Sequence, residues 1–195
     1  MEDQELTYQK SRQRRAGIAA RQSVAAALRR ASDRRISAFL LESDAYRAAR
    51  TILLYAAAGG EVNLAEFAAQ ARQAGKTLCY PHCLPGRQMD ALEPLGPDSW
   101  EEGAYHILTP VPSRSRRIPP EDLELILVPC AAFDPSCRRV GMGGGYYDRF
   151  LTLCPNAATV GVAYDCQRVA RVASGPLDVG LDSFVTELRW YHRAE

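Results

Sequence analysis

The sequence predicts an α/β fold, a single open, mostly parallel sheet of about five or more strands flanked by helices, with a basic N-terminal helix. Two observations carry this prediction. A strand–helix–strand pattern occupies residues 51–80 and implies parallel strands joined by a right-handed crossover. Two further runs, 125–128 and 159–164, have the length and apolar content of buried strands.

Length and composition indicate one soluble domain. The chain has 195 residues, enough for a single core, so residues 1–195 are expected to form one domain. Its net charge of +1 gives no overall field that would attract nucleic acid, and no such partner is expected. The N-terminus lacks the apolar core of a signal peptide, and no run approaches about 18 apolar residues. We therefore expect a cytoplasmic protein without a membrane partner, either a monomer or a weak homodimer.

The first part of the chain is rich in helix-forming residues. Residues 1–9 are expected to fray, a helix is predicted over about 7–30, and a second helix is predicted from Ser32 or Asp33 to about Leu41. Arginines crowd the first half of the first helix. Such a charge run is most often a solvated face, and an RNA-binding patch is the alternative.

The strand–helix–strand unit places an acidic residue at the edge of the sheet. The first strand is predicted over 51–57, a helix opens at Glu61 and ends at Gly75, and the second strand covers 76–80. Glu61 therefore follows the carboxyl end of a parallel strand, where ligands collect in open α/β sheets. The alternative is an acidic residue that only favours the helix N-terminus.

Residues 81–120 contain many prolines and are predicted to be irregular, which in a compact domain indicates a functional loop or disorder. A final strand is predicted over 183–188.

The six cysteines form no CxxC pair and lie mostly in apolar contexts, so reduced thiols are expected. Cys79, His82 and Cys83 lack an apparent fourth ligand, and a metal site there is disfavoured.

The segment from Leu127 to Phe150 carries the clearest functional signal. A buried strand ending at Pro129 leads to a loop with four glycines between 141 and 145, and a helix is predicted from about Tyr146 to Leu153. Glycine lets the backbone approach a ligand closely, and successive main-chain N–H groups beside a helix N-terminus favour an anion such as phosphate. Asp148 lies in the first turn of this helix, where it could hold a metal bound to that phosphate.

The loop matches neither of two common nucleotide motifs. GxxxxGK[ST] is absent, so this is not a Walker loop, and Tyr146 occupies the last glycine position of the dinucleotide fingerprint. A flexible glycine hinge is the structural alternative. Arg138 and Arg139 before the glycines, and Asp148 after two tyrosines, argue against it.

The stretch AFDPSCRRVGMGGGYYDRF, residues 132–150, closely resembles the signature of 5-formyltetrahydrofolate cyclo-ligases, which reads roughly AFDxxGxRLGxGxGYYDRxL. The resemblance covers about residues 10–188. It implies that the chain converts 5-formyltetrahydrofolate and ATP into 5,10-methenyltetrahydrofolate, ADP and phosphate, with Mg²⁺ as cofactor. The small molecules 5-formyltetrahydrofolate and ATP are then the expected partners.

The resemblance also implies roles for individual residues. Lys10, Arg14 and Arg21 fit an N-terminal K-x-x-x-R motif followed by Arg seven residues later. Lys10 and Arg14 share one helix face, and the resemblance assigns them to ATP. Glu61 matches a residue that binds the pterin, and Met89 matches a residue that packs on the folate.

Asp178 resembles a second carboxylate associated with Mg²⁺, and the alternative is a turn residue before a strand. The resemblance makes Arg139 and Tyr146 the catalytic residues. The predicted site comprises, for ATP, Lys10, Arg14, Arg139, Val140, Gly141, Met142, Gly143, Gly144, Gly145, Tyr146 and Tyr147; for folate, Glu61, Met89 and Tyr146; and for Mg²⁺, Asp148 and Asp178.

Three positions depart from the family pattern. Cys137 stands where the family usually has Gly, Thr109 replaces a Glu, and Leu177 replaces a polar or His residue beside Asp178. These departures motivate an alternative within the same fold, a paralogue that binds ATP but does not use folate. A second alternative is an RNA-binding module in which the glycines only form a turn.

Overall fold

A computed structural model describes residues 2–103 and 107–194 of the chain. Its α-helices in these ranges are α1 (Glu2–Ser23), α2 (Ala26–Glu42), α3 (Asp44–Ala48), α4 (Ala65–Gln73) and α5 (Tyr146–Leu151). The strands in the same ranges are β1 (Thr51–Leu53), β2 (Thr77–Leu84), β3 (Gln88–Pro94), β4 (Trp100–Glu102), β5 (Leu108–Pro110), β6 (Ser115–Ile118), β7 (Leu125–Pro129), β8 (Ala132–Phe133), β9 (Arg139–Val140), β10 (Ala158–Val162), β11 (Ser183–Val185) and β12 (Trp190–His192).

Eight of these strands form one sheet in the order β12-β11-β10-β7-β1-β2-β3-β6. The five central strands, from β11 to β2, run parallel to one another. Antiparallel strands extend the sheet at both edges, β12 on one side and β3 with β6 on the other. The predicted α/β class with a mostly parallel sheet is therefore confirmed.

The sheet is covered on both faces, which explains the unbroken apolar run in its central strand. Leu125 and Leu127 of β7 pack in the cluster that includes buried residues of α2 and α4. Ile126 and Val128 of the same strand point to the other face and pack with α5. Because successive side chains of a strand alternate between faces, a strand buried on both sides is apolar throughout.

The two N-terminal helices differ from the prediction. The first helix begins at Glu2, so residues 2–9 are helical rather than frayed, and it ends at Ser23. The second begins at Ala26, and Ser32, predicted as its cap, lies buried inside it. The physical reason is tertiary packing: α1 contacts β8 and β9, whereas α2 packs against α4, and the chain must turn between these surfaces.

Residues 81–120 are not the irregular segment that their prolines predicted. Within the described part they form the end of β2 and all of β3–β6. Pro81 is tolerated inside β2 because β1 ends at Leu53, opposite Cys79. Beyond that point the described residues give β2 a neighbouring strand on one side only, a position that accepts a residue without an N–H group.

Several other predicted boundaries shift inward. The first strand of the crossover unit ends at Leu53 rather than residue 57, and the last predicted strand ends at Val185. The helix after the glycines ends at Leu151. In the part of the chain that the structure describes, no helix is both long and apolar enough to cross a membrane.

Candidate active site

A cavity of about 840 Å³ opens at the carboxyl ends of β1 and β7. Its walls come from α1, the exposed end of β2, the β4–β5 ribbon and the loop of residues 141–145, called the glycine loop below. The sequence-predicted residues that line it are Lys10, Arg14, Glu61, Met89, Arg139, Val140, Gly141, Met142, Gly143, Gly144, Gly145, Tyr146, Tyr147, Asp148 and Asp178. The structure thus brings together residues that lie far apart along the chain.

The glycine loop has a backbone that side chains would disfavour. Gly143 has a φ of +99°, and Gly145, which precedes α5, has a φ of +68°. Arg14 of α1 lies across the loop. Its Nε donates a hydrogen bond to the Gly141 carbonyl at 2.7 Å, and a Cβ at Gly143 would lie 3.3 Å from its guanidinium. The loop therefore fixes the position of Arg14 at the cavity wall.

Both predicted metal ligands are paired with predicted phosphate-binding cations. Lys10 Nζ donates to the two carboxylate oxygens of Asp178 at 2.7 and 2.5 Å. Arg139, whose side chain is 4% exposed, donates to Asp148 Oδ1 at 2.9 Å. Val179 braces the Arg139–Asp148 pair, because its carbonyl accepts from Arg139 and its N–H donates to Asp148. It follows Asp178 directly in the chain, so the two pairs are neighbours.

Arg21, the third residue of the N-terminal motif, lies apart from Lys10 and Arg14. Its side chain is 2% exposed and lies outside the cavity wall. It donates to the carbonyls of Gly59 and Cys130, and its Nη1 lies 3.7 Å from Glu61 Oε1. Arg21 therefore positions Glu61 from the side away from the cavity.

Glu61 is a mostly buried carboxyl group at the cavity wall, with a side chain 12% exposed. Burial raises its pKa above the ordinary value, because the charged form loses hydration. The N–H of Ala58, 3.1 Å away, and the charge of Arg21 oppose that shift without cancelling it. A ligand that donates hydrogen bonds to this carboxylate would relieve part of the burial cost.

Two other side chains of the wall carry buried polar atoms without a hydrogen-bond partner: the Tyr147 hydroxyl and His82 Nδ1. Burial also raises the pKa of Tyr147, and the charge of Glu61 adds to the effect. Unpaired buried polar atoms are costly, so both offer hydrogen bonds to a ligand.

The sequence analysis missed His82 as a cavity residue because it ended the second strand at Tyr80. Continuing the strand past Pro81 would have found it, since β2 reaches Leu84 and places Cys83 opposite Met89.

The fold is that of an α/β enzyme with a large cavity at the carboxyl edge of a parallel sheet, the edge at which such folds bind ligands. Its sequence matches the 5-formyltetrahydrofolate cyclo-ligase family over residues 7–187. The chain belongs to that family.

Relatives support the assignment. The 5-formyltetrahydrofolate cyclo-ligase of Haemophilus influenzae is 30% identical over 139 residues, 69% of this chain and 74% of that protein. The enzyme of the same name from Escherichia coli strain K12 is 39% identical over 71 residues, 35% of this chain and 39% of that protein.

Two solved structures resemble the fold of this chain. The NMR structure of Aquifex aeolicus 5,10-methenyltetrahydrofolate synthetase has a TM-score of 0.84 and 29% identity, covering 95% of this chain and 93% of that one. A Mycoplasma pneumoniae 5,10-methenyltetrahydrofolate synthetase has a TM-score of 0.74 at 22% identity, covering 91% and 98%, and shows a common fold.

Proposed function

We infer that the chain catalyses the ATP-dependent ring closure of 5-formyltetrahydrofolate to 5,10-methenyltetrahydrofolate, releasing ADP and phosphate. One observation carries this inference beyond family membership. A single cavity joins a cationic glycine-loop wall to a wall that holds a buried carboxyl and Met89. Its volume of about 840 Å³ lies in the upper part of the range for ligand sites, as two substrates side by side require.

The glycine-loop end is assigned to the nucleotide phosphates. Main-chain N–H groups of the loop, with Lys10, Arg14 and Arg139, supply donors and positive charge on one wall. Phosphoryl transfer depends mostly on positioning and on stabilising charge at the transferred group. Arg139 is best suited to stabilising that charge, because its buried guanidinium donates hydrogen bonds to Asp148 and to the Val179 carbonyl and is held in place by both.

Asp148 and Asp178 are assigned to Mg²⁺. Their oxygen donors suit this ion, which takes few protein carboxylates and fills its other positions with water and substrate phosphates. Across residues 2–103 and 107–194, no three His, Cys, Asp or Glu side chains cluster as a metal site, so the ion is expected to arrive with the nucleotide. When bound, it would neutralise phosphate charge.

The opposite end is assigned to the folate. The Glu61 carboxylate would accept hydrogen bonds from the N–H groups of the pterin edge, while Met89 and Tyr146 supply apolar surface beside the ring. The unpartnered Tyr147 hydroxyl and His82 Nδ1 remain available for further hydrogen bonds. The substrate would thus be held with its formyl group toward the phosphates.

The reaction needs no protein nucleophile. The formyl oxygen attacks the terminal phosphorus of ATP, and the bond to ADP breaks. The folate N10 then attacks the formyl carbon and gives up its proton to solvent, and phosphate leaves with the electron pair of the broken C–O bond. Ring closure is intramolecular, so orientation supplies most of the rate enhancement. The buried thiols are unsuited to attack; burial raises the pKa of Cys130 to about 12, for example.

The test compares two adjacent arginines. Arg139→Ala should lower kcat/KM at least about 10³-fold, because the charge at the transferred group loses its buried partner. Arg138→Ala is the matched control: Arg138 bonds Ser174 and lies outside the cavity wall, so near wild-type activity is expected. Activity is followed by the near-ultraviolet absorbance of the methenyl product and by ADP release, with unfolding curves to show that both variants fold.

Equal activity in the two variants would remove Arg139 from the proposed chemistry. Release of ADP by the wild-type protein without methenyl product would instead favour a paralogue that does not use folate.

A further inference from the structure

The cavity carries two cation–carboxylate pairs, and their partners have opposing tasks in the proposed function. Lys10 and Arg139 are assigned to phosphate, while Asp178 and Asp148 are assigned to the metal. Each carboxylate therefore pairs with a cation that the nucleotide needs. Arg14 differs, since its Nε donates to the Gly141 carbonyl instead.

The two pairs are not equally free to open. Arg139 is 4% exposed and also donates to the Val179 carbonyl, so its guanidinium is fixed from two sides. Lys10 and Asp178 have side chains 24% and 21% exposed, and the lysine ammonium sits on a flexible stem. The carboxylate of Asp178 also accepts the N–H of Gly175, which keeps it in place if Lys10 leaves. Lys10 is the partner that can move.

The charges make this movement depend on the metal. Three cations and two carboxylates at this end of the cavity leave little net positive charge for a triphosphate. A metal-free nucleotide that drew Lys10 away would have to break its pair with Asp178 and leave that carboxylate without a cation, which weakens binding. A divalent cation bound with the nucleotide would replace Lys10 at Asp178 and release the ammonium toward the phosphates.

We propose that Asp178 is a specificity-determining residue that selects the metal-loaded nucleotide by holding Lys10 until a divalent cation takes its place. This proposal rests on the proposed function, because it presupposes that the cavity binds ATP. It adds that the Asp178 carboxylate weakens the binding of the metal-free nucleotide as well as strengthening the binding of the metal-loaded one.

The experiment measures ATP dissociation constants by calorimetry, without folate, in excess EDTA and in excess Mg²⁺. Asp178→Asn removes the charge, while the amide oxygen can still accept the Gly175 N–H. We expect this variant to bind metal-free ATP about tenfold more tightly than the wild type and Mg²⁺-loaded ATP more weakly. Asp122→Asn is the control: Asp122 is exposed and outside the cavity wall, so it changes net charge equally and should move neither constant.

A double-mutant cycle with Lys10→Met shows whether Asp178 acts through the lysine. In that background Asp178→Asn should lose most of its effect on metal-free binding. Unchanged or weaker metal-free binding by Asp178→Asn, or an undiminished effect in the Lys10→Met background, would overturn the proposal. Asp178→Ala provides a second variant if the asparagine protein is poorly folded. Failure of the wild type to bind Mg²⁺-loaded ATP would instead refute the proposed function.

Discussion

Cys137 occupies a backbone position that its side chain disfavours. Its φ is +61°, in the left-handed region where an L-residue other than glycine is strained. The residue is fully buried, its N–H closes a turn on the Asp134 carbonyl, and its thiol lies 3.6 Å from the Tyr191 carbonyl. The family signature has glycine at this position, and packing of the sulfur offsets some of the strain here.

Two substitutions at position 137 separate strain from packing. Cys137→Ala loses the sulfur contacts but keeps a Cβ, whereas Cys137→Gly loses both. Because only glycine is relaxed at this φ, we expect the glycine variant to be more stable than the alanine variant by about 1 kcal/mol. At an ordinary helix or strand position the order is reversed. Urea unfolding of the two proteins measures the difference, and a more stable alanine variant would show that the site is unstrained.

Glu61 should make the free energy of unfolding depend on pH, and a Glu61 variant can isolate this contribution. Burial raises its pKa in the folded state. Its stabilising contribution is therefore complete below the unfolded value of about 4.3 and is lost as the pH rises through the folded pKa. The unfolding free energy of the wild type, minus that of Glu61→Gln, should fall as the pH rises above about 4.3. A flat or rising difference would mean that the pKa is not raised.

At the scale of elements, α1 determines where the cationic wall of the cavity lies. Gly17 sits in the middle of this helix, where glycine is normally unfavourable. The structure supplies the reason, since a Cβ at this position would lie 2.0 Å from the carbonyl oxygen of Ala131. The close approach holds α1 against the segment after β7 and so places Lys10 and Arg14 at the cavity.

Gly17→Ala should therefore destabilise the protein despite the better helix propensity of alanine. We expect a loss of about 1–3 kcal/mol, typical of an overpacked contact, together with weaker binding of Mg²⁺-loaded ATP. Gly96→Ala is the control, because Gly96 is extended and a Cβ there would meet no atom within 4 Å. Chemical unfolding and calorimetry measure both effects. If the two variants behave alike, α1 does not depend on this contact.

The elements that the sequence predicted correctly are those whose signals are local. The crossover unit and the apolar runs of β7 and β10 follow from periodicity and length, and the structure confirms them. The strands between Pro81 and residue 120 were missed because the many prolines argued against strands. In the described residues β1 ends before Pro81, and β2 can therefore accept a proline there. The break at Ala25 has neither glycine nor proline, and only tertiary packing reveals it.

Over the whole molecule, the cavity forms because chain segments far apart in sequence meet at one edge of the sheet. The motif spacing predicted most of the lining, but not the ion pair between Lys10 and Asp178, which are 168 residues apart. Arg21 shows that the spacing of a motif does not by itself identify the residues that line a cavity. It shares a helical face with Lys10, yet the rise of the helix carries it about 16 Å further along the axis, beyond the cavity. The spacing of a motif determines which helical face its residues share, and the fold determines which of these residues reach the cavity.

The Lys10–Asp178 and Arg139–Asp148 pairs also predict how the whole protein responds to metal removal. Since Lys10 and Arg139 already compensate the two carboxylates, the fold does not need a divalent ion, and EDTA alone should leave the melting temperature unchanged. ATP with Mg²⁺ at about one hundred times its dissociation constant should add about 2.7 kcal/mol, a rise of about 5–10 °C for a chain of this size. ATP with EDTA should give a much smaller rise, because Asp178 still holds Lys10. Thermal unfolding measures all three conditions. A large fall in melting temperature with EDTA alone would reveal a structural metal and would contradict the assignment of these carboxylates to an ion carried by the nucleotide.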